Sequence, residues 1–332
     1  MSEPTRDQER DLYRKMAKAR ALDIELVRWQ RQGIIPAFPP SLGQEAAQVG
    51  IAAAIDQTRD FAFPMYREMG VALAMDVDML GYLGNHNGNW NGGSHDPVAH
   101  RFTPIQSVVG SNSPHAVGWA LGQKLDGLDG VAVAFVGDGG SSQGDTHEAM
   151  NFAGVWHLPV VFFVTNNQWA ISVPLSEQVA GGSIAARAAG YGFPGIEVDG
   201  NDVLAVRAAG IEAIERARRG EGPTLIEAKT YRRGPHATSD DPGRYRSLED
   251  ERRDGGEDPV ERYRRSALER GVIDDAFIAE VDAEIVPWLE GIRTHLISLP
   301  PRDGSEIFEN VYAELTSDLV EQRAAWAEGA QA

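Results

Sequence analysis

VAVAFVGDGGSSQGDTHEAMNFAGVWHLPVVFFVTNN, running from Val131 to Asn167, is the stretch whose reading decides the fold. Val131–Val136 and Pro159–Asn166 are short, nearly continuous apolar runs, and Ser141–Trp156 between them has the length of a crossover helix. Strands that are apolar on both faces and joined by a helix make a βαβ unit in a parallel sheet covered on both sides. Gly195–Gly200, Asp202–Gly220 and Pro223–Arg232 then repeat the alternation as strand, helix and strand. The expected fold class is therefore α/β, a doubly wound and mostly parallel sheet with helices on both faces.

On the N-terminal side, residues 8–31 carry Leu12, Met16, Ala19, Ile24 and Trp29 at roughly helical intervals, which predicts an N-terminal helix. LGQEAAQVGIAAAI, from Leu42, reads as a buried helix of small residues, and Pro114–Lys124 as another. FAFPMYREMG is a short apolar piece broken by Pro64. Gly84–Arg101 is dense in Gly and Asn; its three histidines, His86, His95 and His100, are irregularly spaced and read as part of a polar loop rather than a metal site. From about Pro259 the chain reads as charged helices ending in a polar tail. The expected organisation is a helical segment over 1–40, an α/β domain over 41–256, and a C-terminal helical region over 257–332 packing on that same domain.

The chain has 332 residues, 42% hydrophobic and 24% charged, ordinary for a soluble globular protein. A formal net charge of −18 argues against nucleic-acid or anionic-membrane partners, so an anionic ligand must be held by local cations. The absence of cysteine removes disulfides, thiolate nucleophiles and zinc–sulfur sites. The charged N-terminus lacks the apolar segment of a secretory signal, and PVVFFV is too short to span a bilayer, so a cytoplasmic location is expected.

In open α/β sheets, ligands sit beyond the carboxyl ends of the strands. Those ends here are GDGG at 137–140, NNQWAIS at 166–172 and YRRGPH at 231–236. The lysine of a Walker loop is absent, and Ser142 breaks the GxGxxG dinucleotide fingerprint. Gly137 and Gly139 let the backbone turn tightly, leaving Asp138 to face a cation. A carboxylate from Asp138 and an amide oxygen from Asn167 suit Mg²⁺ or Ca²⁺, and Mg²⁺ in particular fills its remaining positions with water and substrate phosphates. Asp and Gly are ordinary turn residues when seen singly; the pair on consecutive strands of one βαβ unit is more specific.

Taken together, GDG, about thirty residues and NN resemble the thiamine diphosphate motif. With GQEAAQVG, FPMYREMG, IQSVVGSNSPHAVG, VDGNDVLAV, GEGPTLIEAKTYR and GPHATSDDPGRYRS, nearly the whole chain resembles the alpha subunit of the decarboxylating component of bacterial 2-oxo acid dehydrogenase complexes, of branched-chain or pyruvate type. The resemblance implies thiamine diphosphate and Mg²⁺ as cofactors. It places Asp138, Asn167 and the carbonyl of Trp169 on the metal. Tyr66, Arg67, Arg232 and the Gly139 and Gly140 N–H groups fall on the diphosphate, Val109 supports the bent coenzyme, and His236 is the active-site histidine. It further implies oxidative decarboxylation of a 2-oxo acid with acyl transfer to a lipoyl arm. The working assembly would have two alpha and two beta chains, docked on a lipoyl acyltransferase core, with the beta subunit supplying the carboxylate that protonates the coenzyme's aminopyrimidine.

The pattern also departs from the family. Thr165 stands where some relatives carry a basic residue, and Ala237 replaces the phosphorylatable serine of mitochondrial relatives, although Ser239 and Ser247 are near. The chain begins close to the first family helix, with a shorter lead-in than several relatives have. An acetoin dehydrogenase alpha subunit and a non-catalytic nucleotide- or metal-binding subunit are the competing readings. His147 and His157, in and just after the crossover helix, are expected to be structural.

Overall fold

In the computed structural model, which describes residues 3–84, 95–300, 303–309 and 311–329, the Val131–Asn167 stretch folds as strand, helix and strand. The strands in chain order are β1 (Phe61–Phe63), β2 (Ala132–Gly137), β3 (Val160–Asn166), β4 (Trp169–Ala170), β5 (Val173–Pro174), β6 (Gly195–Asp199) and β7 (Thr224–Lys229). Five of them form a parallel sheet in the order β1–β2–β3–β7–β6, while β4 and β5 pair as a small antiparallel hairpin. The doubly covered α/β sheet is thus as expected.

Alternation along the strands explains the coverage. Val133, Phe135, Val161, Phe163 and Ile226 point into one core, with the N-terminal and C-terminal helices. Ala132, Ala134, Val136, Val160, Phe162, Val164 and Leu225 point into the other, against Ala116, Ala120, Ala149 and Met150 of the Asn112–Leu125 and Gly144–Val155 helices. A strand buried on both faces has no polar side to show, which is why these runs read as unbroken apolar sequence.

α1 (Arg6–Arg31) is the expected N-terminal helix, started by a capping box in which Thr5 and Gln8 exchange side-chain and backbone hydrogen bonds. Its buried stripe is Leu12, Met16, Ala19, Leu22, Leu26 and Trp29; Ile24, expected in that stripe, is exposed, because it falls on the opposite side of the helix. The stripe packs in one continuous core with Tyr263, Phe277 and Val281 from the Pro259–Glu269 and Asp275–Ser298 helices. Ser317–Gly329 forms a last helix with no buried residue. Within Gly84–Arg101, residues 85–94 and with them His86 lie outside the described residues; Pro97–His100 makes one helical turn, and His95 is buried with Nε2 3.0 Å from the Phe102 carbonyl. Among the described residues no helix is long and apolar enough to cross a membrane.

α2 (Glu45–Ala52) is buried along its entire length and crosses the Val203–Arg218 helix at close range. A Cβ on Gly50 would lie 2.8 Å from the Val203 carbonyl oxygen, and one on Gly210 would lie 2.8 Å from Ala54 Cβ. Alanine would gain up to about 1 kcal/mol of helix propensity at either site. Overpacking a rigid crossing costs about 1–3 kcal/mol, and at Gly50 the obstacle is backbone, so the clash wins. We expect Gly50→Ala to lower stability by about 1–2 kcal/mol in denaturant melts; equal or increased stability would show that the helices separate freely.

Candidate functional site

Because β2 and β3 are adjacent and in register at Gly137 and Thr165, the loops leaving them open into the same cavity. This cavity, of about 250 Å³, is lined by Tyr66, Arg67, Val109, Asp138, Gly139, Gly140, Asn167, Trp169 and His236, together with Gln44, Glu68 and Gln143 among others. All the site residues expected from sequence are brought together there except Arg232. The Arg232 guanidinium is buried nearby and donates instead to the carbonyls of Trp169 (3.2 Å) and Ile171 (2.8 Å) and to Tyr245 Oη (2.7 Å). His147 and His157 do not line the cavity, and His147 pairs with the Tyr191 hydroxyl.

Asp138 is 2% exposed, and burial raises its carboxyl above the ordinary carboxylate range. Gln178 Nε2 donates to its Oδ2 at 3.0 Å. The Asp138 and Asn167 N–H groups and the Arg232 charge also favour the carboxylate, yet burial outweighs them, and a bound cation would relieve that cost. Asn167 turns its Oδ1 toward the Trp169 N–H (3.3 Å) and its Nδ2 toward Gln44 Oε1 (3.2 Å). The Asn167–Ile171 segment is held in an unusual shape, with Gln168 at φ 74° and Ile171 at φ 54°. Left-handed non-glycine residues cost of order 1 kcal/mol each and persist where neighbours impose them. Here Asn166 Oδ1 accepts from Gln168 N (3.1 Å), and Asn166 is itself held by the buried Glu227, which accepts from its Nδ2 at 2.6 Å.

The Asp138 carboxylate, the Asn167 amide oxygen and the Trp169 carbonyl are hard oxygens of the kind that suits a small divalent cation rather than zinc. Among the described residues no group of three or more His, Asp or Glu could hold a metal by itself. A cation here would therefore complete its shell from water or from oxygens of a bound ligand. The glycines are needed for shape: a Cβ on Gly139 would lie 2.7 Å from Ala170 Cβ, and one on Gly140 2.9 Å from Val136 Cγ1.

The same cavity holds a guanidinium. Arg67 Nη2 donates to the His236 carbonyl at 2.9 Å and lies 3.0 Å from His236 Nδ1. Its Nη1 donates to the Pro40 carbonyl, above the turn where buried Asp23 accepts from Ser41 N and Oγ. Glu68 is committed to the N–H groups of Met65 (2.9 Å) and Arg67 (3.2 Å). The loop carrying His236 is pinned where Thr238 and Phe38 exchange hydrogen bonds, and Asp240 accepts from His236 N at 2.7 Å. Ser247 caps the Leu248–Asp254 helix.

A guanidinium can only donate, so its contact makes His236 Nδ1 the acceptor and puts the ring proton on Nε2. Burial, then Arg67 and Arg232, lower the His236 pKa from 6.5 to about 4. Gln44, Glu68, Gln178 and Glu227 were not singled out from sequence. Glutamines and glutamates carry no local signature, and only the fold brings them to the strand tips. Between pH 6.5 and about 4 the unfolded chain takes up a proton at this histidine and the folded chain does not, so its contribution to stability is present above that window and is lost as pH falls through it. NMR titration of the ring should show a midpoint near 4, moving upward in Arg67→Met; an ordinary midpoint in the unmutated protein would contradict this electrostatic picture.

Residues 13–288 match the family model described as dehydrogenase E1 component. The chain is 48% identical to the 3-methyl-2-oxobutanoate dehydrogenase subunit alpha of Mycobacterium tuberculosis (strain ATCC 25618 / H37Rv), over 94% of this chain and 84% of that one. It is 41% identical to the 2-oxoisovalerate dehydrogenase subunit alpha of Bacillus subtilis (strain 168), over 92% and 95% respectively. It is 38% identical to the pyruvate dehydrogenase E1 component subunit alpha of Acholeplasma laidlawii, over 94% and 90%. With its strand-tip cavity and a match over most of its length, this chain belongs to the dehydrogenase E1 component family.

Proposed function

We propose that the chain is the alpha subunit of a thiamine-diphosphate-dependent 2-oxo acid dehydrogenase, oxidatively decarboxylating a branched-chain 2-oxo acid such as 3-methyl-2-oxobutanoate and passing the acyl group to a lipoyl arm. The observation that carries this reading is the pair Asp138 and Asn167, on neighbouring strand tips in one cavity with Arg67 and His236. The relatives named for branched-chain substrates, at 48% and 41% identity, favour that class; the pyruvate dehydrogenase relative at 38% makes pyruvate the second reading.

Asp138, Asn167 and the Trp169 carbonyl would hold Mg²⁺. Arg67, Tyr66 and the backbone of Gly139 and Gly140 would meet the diphosphate, and Val109, packed over Gly140, would support the coenzyme. Arg232 would act from behind, by fixing the Trp169 and Ile171 carbonyls. When bound, thiamine diphosphate supplies the carbanion that adds to the 2-oxo carbonyl and accepts the electron pair released with carbon dioxide. This chain's residues contribute position and charge. Guanidinium forks match phosphate oxygens. His236, kept neutral, offers its Nε2 proton to oxygen at the reacting centre.

Among the described residues the carboxylates lining the cavity are Asp138 and Glu68, and Glu68 is already engaged by backbone N–H groups. A carboxylate for the coenzyme's ring must therefore come from outside, which supports a beta subunit and an assembly of two alpha and two beta chains on a lipoyl acyltransferase core. Exposed Leu125, Phe152, Val155 and Trp156, with the Phe152 and Trp156 rings 4.9 Å apart, are consistent with a partner. The reading places the assembly in the cytoplasm.

Co-purified with its beta subunit, the protein should decarboxylate branched 2-oxo acids faster than pyruvate or acetoin in a lipoyl-dependent assay. Asp138→Ala should abolish Mg²⁺-dependent coenzyme binding in calorimetry. Undiminished binding by that variant would refute the site.

A further inference from the structure

Gln44 stands immediately before α2, and its side chain is 1% exposed. It lines the same cavity as Asp138 and Asn167. Its Oε1 accepts from Asn167 Nδ2 at 3.2 Å, while its Nε2 is buried without a hydrogen-bond partner. A buried N–H group with no acceptor is destabilising, so such groups are normally paired in the functioning molecule.

Chemistry fixes the orientation of both amides. The oxygen of the Asn167 carboxamide is its only end able to face a cation, and it also accepts the Trp169 N–H at 3.3 Å. Its NH₂ must then point toward Gln44, which can answer only with its own oxygen. The NH₂ of Gln44 is left without an acceptor, on a side chain that lines the cavity. No carboxylate of the cavity answers it: Asp138 takes its amide donor from Gln178, and Glu68 takes the Met65 and Arg67 N–H groups.

We propose that Gln44 is a further ligand-binding residue with two functions. Its Oε1 holds the Asn167 carboxamide with the oxygen presented to the metal, and its Nε2–H donates to an anionic oxygen of the ligand filling the cavity. Resting on the function proposed above, that oxygen belongs to the diphosphate, because Gln44 and the metal-facing Asn167 share one wall.

The alpha chain co-purified with its beta subunit is titrated calorimetrically with thiamine diphosphate in Mg²⁺, without substrate, for the unmutated protein, Gln44→Leu and Gln44→Glu. Gln44→Leu removes both functions; Gln44→Glu keeps an acceptor for Asn167 and removes the donor, in a side chain of nearly the same shape. Both variants are expected to bind about tenfold more weakly or worse, corresponding to the loss of one buried hydrogen bond to a charged group. If the unmutated assembly binds and either variant binds equally well, the proposal for Gln44 is overturned and the function stands. Unchanged coenzyme affinity with a raised KM for the 2-oxo acid would overturn it too, placing the donor on the substrate's carboxylate. If the unmutated assembly itself fails to bind, the functional reading falls first and this inference with it.

Discussion

A carboxylate buried at the end of a strand is the constraint on which the site depends. Asp138 lies beyond β2, almost fully enclosed, with its charge opposed by desolvation and supported by an amide from Gln178. Burying an ionised group without a partner is among the most expensive arrangements a fold can keep. A cation beside it would offset that cost. Asn167 presents a hard oxygen from the next strand, and the Gln168–Ile171 turn is bent through left-handed residues so that the Trp169 carbonyl is held by Arg232. Asn166 and Glu227 hold that turn from beneath.

The charge balance of the cavity follows. The chain as a whole carries −18, yet the cavity that holds Asp138 also holds the Arg67 guanidinium, with Arg232 buried nearby. Burial and the neighbouring Arg67 and Arg246 lower the Arg232 pKa, and Arg67 and Arg232 both oppose protonation of His236. Guanidinium groups set close together oppose one another, and an anionic ligand in the cavity would relieve that repulsion. On the proposed function, a diphosphate with its dication would set negative charge beside Arg67 and positive charge beside Asp138.

Much of this was legible in the sequence, for physical reasons. Strands buried on both faces leave unbroken apolar runs, so β2, β3 and β7 announced themselves, and the residues just beyond them carried the chemistry. β1 did not: three residues between Asp60 and Pro64 are too short to show a period, and only pairing with β2 makes them a strand. β4 and β5 are shorter still and exist because the Asn167–Ile171 turn folds back on itself. Ile24 misled because an apolar residue on a long helix was assigned to the core by spacing alone, whereas Leu22 and Leu26 carry the buried face. Arg232 was legible as a strand-end arginine, but its engagement with two carbonyls and a tyrosine hydroxyl depends on a turn that no local pattern encodes.

The glutamines and glutamates around the strand tips show where sequence reading stops and packing begins. Gln44 comes from the loop before α2, Gln178 from just after the β4–β5 hairpin, and Glu227 from the middle of β7; nothing in their spacing joins them. They meet because the parallel order β2–β3–β7 stacks three loop exits side by side. Each candidate metal-facing side chain then receives an amide: Asp138 a donor from Gln178, Asn167 an acceptor from Gln44. The two polarities are opposite because a carboxylate can only accept, whereas a carboxamide that gives its oxygen to a cation must still place two N–H bonds. A shell oriented in advance lowers the cost of ordering side chains at the binding step, so groups that never touch the metal would contribute to affinity alongside those that do.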